Sequence, residues 1–165
     1  MFEHLIDTLQ LWGEIVAEEY KKKLQNEGIN ATGKLSDSVK VPDVTVVGEK
    51  FTVYLQLEEY WGAIENGRQP TKNGGTGELR QNLLTWLKYK PNLPTPSSGD
   101  LPTEKALERA AYAISTKIHR FGYKGKRPLH RTLEELKDEI YRDIEEAIIK
   151  DIDADILNVL RTFEQ

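Results

Sequence analysis

The chain has 165 residues, 30% of them charged and 8% aromatic, with 23 bases against 27 acids for a net charge of −4. That length suits one domain with an ordinary core, and the composition is that of a folded soluble chain rather than a disordered one. With no cysteine in the sequence, a disulfide framework, a cysteine nucleophile and a thiolate zinc site are all excluded.

The first residues, MFEHLIDTLQLWGEIVAEEYKKK, mix acids with apolar residues and lack a basic leader, so they read as neither signal peptide nor membrane span. No other stretch is apolar for long enough to cross a bilayer, and the expectation is a soluble protein made inside the cell. Charge is unevenly placed. Residues 131–165 hold five bases and eleven acids, a net of −6, which leaves +2 on the rest. Lys117, Arg120, Lys124, Lys126 and Arg127 form a basic knuckle with no acid among them. Opposite charges at two ends make copies of one chain complementary, whereas a general nucleic-acid binder is expected to be strongly basic.

In chain order, Phe2, Leu5, Leu9, Trp12, Val16, Tyr20 and Leu24 recur at three- and four-residue steps. They predict an amphipathic helix to about Glu27, ended by Gly28. Residues 28–34 are turn-rich. Short strands are expected near Ser38–Val41 and Val44–Val47, separated by Pro42-Asp43. A longer strand is expected over 51–61, where Phe51, Val53, Leu55 and Leu57 alternate with Thr52, Tyr54 and Gln56. Together these predict a small antiparallel meander covered by the N-terminal helix.

After an exposed loop over 69–77, Leu79, Leu83, Leu84, Trp86 and Leu87 predict a short helix. Residues 91–102, PNLPTPSSGDLP, predict a flexible surface loop inside one domain. A further helix is expected from Thr103, its N-cap, to Phe121-Gly122-Tyr123, with Leu107, Ala110, Ala111, Ile114 and Ile118 on one face. A tight basic turn, Lys124–Leu129, follows. The last helix, over 131–165, is long and acidic. Leu133, Leu136, Ile140, Ile144, Ile148, Ile152, Ile156, Leu160 and Phe163 read as one nearly continuous stripe. The expectation is that it breaks near Asp151 or packs its far end on a neighbouring subunit. The fold class is thus α+β, a single domain over 1–165.

Few patterns carry chemistry. Gly28-Ile29-Asn30-Ala31-Thr32-Gly33-Lys34-Leu35 falls one residue short of a phosphate-binding loop. Leu35 stands where a magnesium-holding Ser or Thr is needed, and the stretch follows a helix instead of a strand. Asp151, Asp153 and Asp155 start like a calcium loop, but Ile156 replaces the required Gly and Thr162 the Glu. Asp151 and Asp155 therefore read as a solvated helix face. His4, His119 and His130 share no metal-ligand spacing, and Asn30-Ala31-Thr32 matters as a sequon only in a secreted chain. Glu58, Glu59 and Glu65 could form a carboxylate pair for hydrolysis, although acids at a strand end are more often solvated or paired. No catalytic residue, cofactor or metal site is assigned.

Several segments then occur in a telling order. They are Ala31-Thr32-Gly33-Lys34-Leu35-Ser36-Asp37-Ser38, Tyr60-Trp61-Gly62-Ala63-Ile64-Glu65-Asn66-Gly67-Arg68-Gln69-Pro70 and Leu83-Leu84-Thr85-Trp86-Leu87-Lys88-Tyr89-Lys90. Ala110-Ala111-Tyr112-Ala113-Ile114 follows, then Lys117-Ile118, Gly122 and Arg127-Pro128-Leu129. In sequence they resemble four features of the small neck or tail-completion proteins of long-tailed bacteriophages. These are a small-Thr-Gly-x-Leu-x-x-Ser segment, an aromatic–x–x–hydrophobic–Glu–x–Gly segment, a short Trp-and-Lys helix, and an Ala–Ile helix with a Gly…Arg-Pro-Phe turn. The resemblance spans most of residues 1–130. Leu129 departs from the usual Phe, and the acidic C-terminal helix is longer than the family's.

The resemblance implies a non-enzymatic virion component, a homo-oligomeric and six-fold ring at the head–tail joint. Its partners would be copies of itself and neighbouring neck, portal or tail proteins, with DNA passing without specific binding and no membrane. Glu65, Arg68, Lys126, Arg127 and Pro128 become the candidate subunit-interface residues, with a capped surface loop and a structural turn as their plainer roles. The alternatives are a binding module or regulator whose basic turn meets an acidic partner, and a hydrolase using Glu58, Glu59 and Glu65.

Overall fold

The computed structural model describes residues 2–29, 32–71, 77–89 and 103–163. The expected loop over 91–102, most of that over 69–77, and the Asn30-Ala31 part of the sequon lie outside the described residues.

Two long helices set the frame. α1 (Glu3–Asn26) buries Leu5, Trp12, Val16, Ala17, Tyr20 and Leu24 along one face. It ends as Gly28, at φ +62°, donates to the Gln25 carbonyl while Ile29 donates to that of Leu24, a Schellman closure. α6 (Pro128–Phe163) runs unbroken for 36 residues, about 54 Å at 1.5 Å per residue. The pair is antiparallel: Lys23 meets Glu135, Trp12 donates to Asp143 at 3.2 Å, and His4 meets Asp151 at 2.9 Å.

The chain between them is α+β, as expected, with a smaller β component than the alternation suggested. The expected strand near Ser38–Val41 gives way to α2 (Lys34–Ser38). There the Ser36 and Ser38 hydroxyls donate back to the Gly33 and Leu35 carbonyls and hold a helical turn. Pro42, without an N–H, stops any extension, so only the Lys40–Gln56 bridge remains of that pairing. β1 (Thr45–Val47) and β2 (Lys50–Thr52) form an antiparallel hairpin about Gly48.

Past Thr52 the ladder stops, yet the alternation persists as burial. Val53, Leu55 and Leu57 are half-buried while Tyr54 and Gln56 are exposed. The hairpin region lies on α1. Gly13 is buried under Val41 and Val53, where a Cβ would come within 2.8–2.9 Å of their methyls. Phe2 and Phe51 stack edge to face at 5.5 Å.

α3 (Trp61–Asn66), β3 (Gly67–Arg68), α4 (Glu78–Tyr89), α5 (Glu104–Phe121) and β4 (Tyr123–Lys124) complete the order. Thr103 caps α5, accepting from the Ala106 N–H at 3.3 Å. α4 and α5 pack as a hairpin around Leu87, Ala111 and Ser115. The main core gathers Ala17, Tyr20, Leu24, Leu35 and Val39, with Trp61, Ile64 and Leu129 packed on it. Among the described residues no helix is long and apolar enough to cross a membrane.

α6 corrects three expectations. It begins at Pro128 instead of near Arg131, and of the two outcomes expected for its far end the break near Asp151 does not occur. Asp151 is no solvated face but is buried against the start of α1. The apolar residues are not one stripe either. Each i, i+4 step overshoots a full turn by about 40°, so Ile140 and Leu160 point roughly 200° apart. Ile140, Ile144 and Ala147 lie towards α1, half-buried or buried, whereas Ile152, Ile156 and Leu160 are exposed.

Candidate functional site

Arg127, the residue before α6, sits at φ +54°, a left-handed conformation a non-glycine side chain rarely adopts. Pro128 occupies the first helical position, where its missing N–H leaves no donor unpaired and its ring is fully buried. The next two N–H groups need an acceptor that Arg127 cannot offer. Glu65 supplies it from α3: Leu129 donates to its Oε2 at 3.1 Å and His130 to its Oε1 at 2.9 Å. A carboxylate at a helix N-terminus is favoured by hydrogen bonding and by the helix dipole together.

The other end of the helical pair repeats the device. Phe2, before α1, sits at φ +64° and has no side-chain cap. Asp151 of α6 accepts from the His4 and Leu5 N–H groups at 3.1 and 2.9 Å, and meets the His4 ring at 2.9 Å. Burial pushes the Asp151 carboxyl up, but the His4 ring and the two backbone donors outweigh it and leave the group below the ordinary carboxylate range.

Around Glu65 the chain closes on itself. β3 and β4 pair antiparallel, Gly67 opposite Lys124 and Arg68 opposite Tyr123. Gly67, at φ +79°, and Gly125 admit this approach, since a Cβ on either would collide with the Tyr123 or Glu65 carbonyl oxygen. Lys126 N–H donates to the Ile64 carbonyl at 2.9 Å, and the Tyr123 hydroxyl to that of Ala63 at 3.0 Å. Burial raises the Tyr123 hydroxyl above its usual value, with Arg68 pulling the other way. Lys126 Nζ reaches the Glu27 carbonyl, and Arg131 binds the Glu27 carboxylate, tying the knuckle to the end of α1.

All five candidate interface residues therefore meet in one place, with different exposures. Glu65 and Pro128 are buried and engaged within the chain, while Arg68 is half-buried beside Tyr123. Lys126 and Arg127 are exposed. The same knuckle exposes Lys117, Arg120, Phe121 and Lys124.

The carboxylates of the hydrolase alternative are divided. Glu58 and Glu59 line an open cleft of about 370 Å³ with Asp37, Lys40 and Gln56, and Glu58 pairs with Lys34 at 3.3 Å. Glu65 is not part of that lining. His119 lies at the end of α5, its ring Nδ1 at 2.5 Å from the Thr71 hydroxyl. Among the described residues no three His, Asp or Glu side chains gather closely enough to hold a metal ion.

Two features escape the sequence. The structural work of Asp151 depends on a partner helix 146 residues away in the chain. The exposed apolar face of α6 beyond Asp151 was visible only as a drift in the spacing of its isoleucines. Comparison with protein-family models, curated proteins and solved structures gives no match to this chain.

Proposed function

We propose that the chain is a non-enzymatic structural protein of a tailed-bacteriophage virion, assembling as a ring at the head–tail joint. The carrying observation is a convergence. The Leu35–Val39 stretch, Trp61 and Ile64 beside Glu65, and Leu129 after Arg127-Pro128 fall in three distant parts of the sequence. They pack on one core, and the Glu65 carboxylate caps the helix that Pro128 opens. These are three of the segments on which the resemblance rests, and their joint packing supports reading them as one unit; the other two, on α4 and α5, pack on each other. Neighbouring neck, portal or tail proteins would then be its partners, and DNA would pass the ring without specific contacts.

The test is solution mass by light scattering at two concentrations and two salt strengths, with electron microscopy of any assembly. A closed ring of six or more copies is expected. A two-fold dimer that never closes into a ring counts against the reading. The second reading, a binding module for an acidic partner, is favoured by the exposed Lys117, Arg120 and Lys124, which pair with no acid among the described residues. Specific capture of one acidic protein by a monomeric chain would select it.

A further inference from the structure

We infer that the α6 tail, residues 149–163, of one copy docks on the basic, aromatic end of α5 and β4 of the next. This rests on the ring reading and names the seam of that ring. Among the described residues Asp151 makes the last hydrogen bond from α6 to α1, and twelve residues of α6 run on for about 18 Å past it. Ile149, Ile152, Ile156, Val159 and Phe163 follow one another at steps of three and four, and each is 49–82% exposed. Such spacing makes a narrow apolar seam suited to packing on another helix. On the side that faces α1, half-buried Ala154 is followed by Asn158 and Thr162, so the exposed apolar side is a separate surface from the core stripe.

Three observations select the occupant. First, charge flanks the seam: Asp153 and Asp155 fall on either side of it by helical position, and exposed Glu145 precedes Ile149 on the same line. Two tails packed together would set like charges along both borders, which is unfavourable. Second, the opposite surface exists on the same chain. Phe121 is 72% exposed at the end of α5, next to exposed Tyr123, and Lys117, Arg120 and Lys124 surround it without acids among the described residues. Third, a tail cannot reach its own knuckle. The knuckle lies at the start of α6, and Ile149 is already about 32 Å along the straight helix from Pro128. The complement must come from a second copy. Two different patches meeting head to tail give a heterologous contact, which closes into a ring when the rotation permits.

The experiment uses two variants of the full chain. Ile156→Asp disables the tail; Arg120→Glu with Lys124→Glu disables the knuckle. Both sets of residues are exposed, so each variant should stay folded, with a small drop in melting temperature for the knuckle variant because Arg120 lies in the last turn of α5. Each variant alone should scatter as a monomer, and mixing them should give a one-to-one heterodimer that grows no further, since only one intact pair of patches remains. Homodimers of the knuckle variant would instead show tail-to-tail pairing and overturn the docking.

Wild-type rings that survive Ile156→Asp would overturn the docking and leave the ring reading standing. Tail-dependent wild-type assemblies that form open filaments would uphold the docking and sink the ring. A wild-type chain monomeric up to about 1 mM, the weakest contact worth the name, would overturn the docking.

Discussion

Glu65 and Asp151 each answer donors left open at the N-terminus of another helix, and both carboxylates are buried there. For Glu65 the acceptor role is charged and two-pronged, one oxygen to each of Leu129 and His130. Glu65→Gln keeps one acceptor and loses the charge, and is expected to lower stability by about 1–2 kcal/mol; Glu65→Ala leaves both N–H groups orphaned and should lower it by about 2–3. Urea unfolding checks both, and equal losses from the two would show that the hydrogen bonds contribute little. Tyr20 is the opposite case. Its hydroxyl is fully buried and has no partner among the described residues. Tyr20→Phe should therefore stabilise by about 1 kcal/mol, because it deletes an unmet donor at constant shape. Burial, with Glu65 and Tyr60 nearby, pushes the Tyr20 hydroxyl up to about 12 from 10. A raised folded value means stability present below pH 10 and lost as pH rises towards 12. The variant should lose part of that alkaline decline in melting temperature. The sequence showed Glu65 as a charge on a loop and Tyr20 as a core position. What each hydroxyl or carboxylate meets depends on backbone far along the chain, which residue type alone does not specify.

At the scale of elements, the α1–α6 pair is fastened at both ends, by Arg131 and Lys126 to Glu27 and by Asp151 to His4 and Leu5. Asp151→Asn is expected to destabilise by about 1–3 kcal/mol at neutral pH, since it removes a charged acceptor from a helix N-terminus. The Asp151 carboxyl titrates below its ordinary value of 3.8 in the folded chain. Its contribution is therefore present above about pH 4 and lost as pH falls through the lower folded value, so wild type and variant should converge in acid. Unfolding midpoints at pH 7 and pH 3 measure this, and a constant gap across that range would refute the assignment. The helices themselves were legible: α1, α4 and α5 follow from three- and four-residue spacing, and α5 from Thr103 as well. The β component was less so. Alternation over Phe51–Leu57 reports which side faces α1, not whether a neighbouring strand exists to bond, and Pro42 removed the neighbour.

On the scale of the whole molecule, the proposed docking assigns stability and assembly to different parts of one helix. The first 24 residues of α6 lie along α1 and the last twelve extend beyond it. A chain ended after Asp155 keeps Asp151 and every α1 contact described above. It should therefore unfold within about 0.5 kcal/mol of the full chain, as expected for loss of exposed residues. It should also lose self-association entirely, because Ile156, Val159 and Phe163 are gone. Light scattering and urea unfolding on the same two proteins separate the quantities. A truncated chain that unfolds much more easily would mean that the tail folds back on its own subunit. A truncated chain that still assembles would move the contact elsewhere, to a surface such as exposed Val46 and Val47 on the β1–β2 hairpin. Salt discriminates further, since any attraction between Asp153 and Asp155 beside the seam and the basic knuckle would be screened over about 8 Å in physiological salt. Assembly that weakens from about 50 mM to about 500 mM salt has the charged borders contributing, whereas assembly indifferent to salt leaves the apolar seam as its main source.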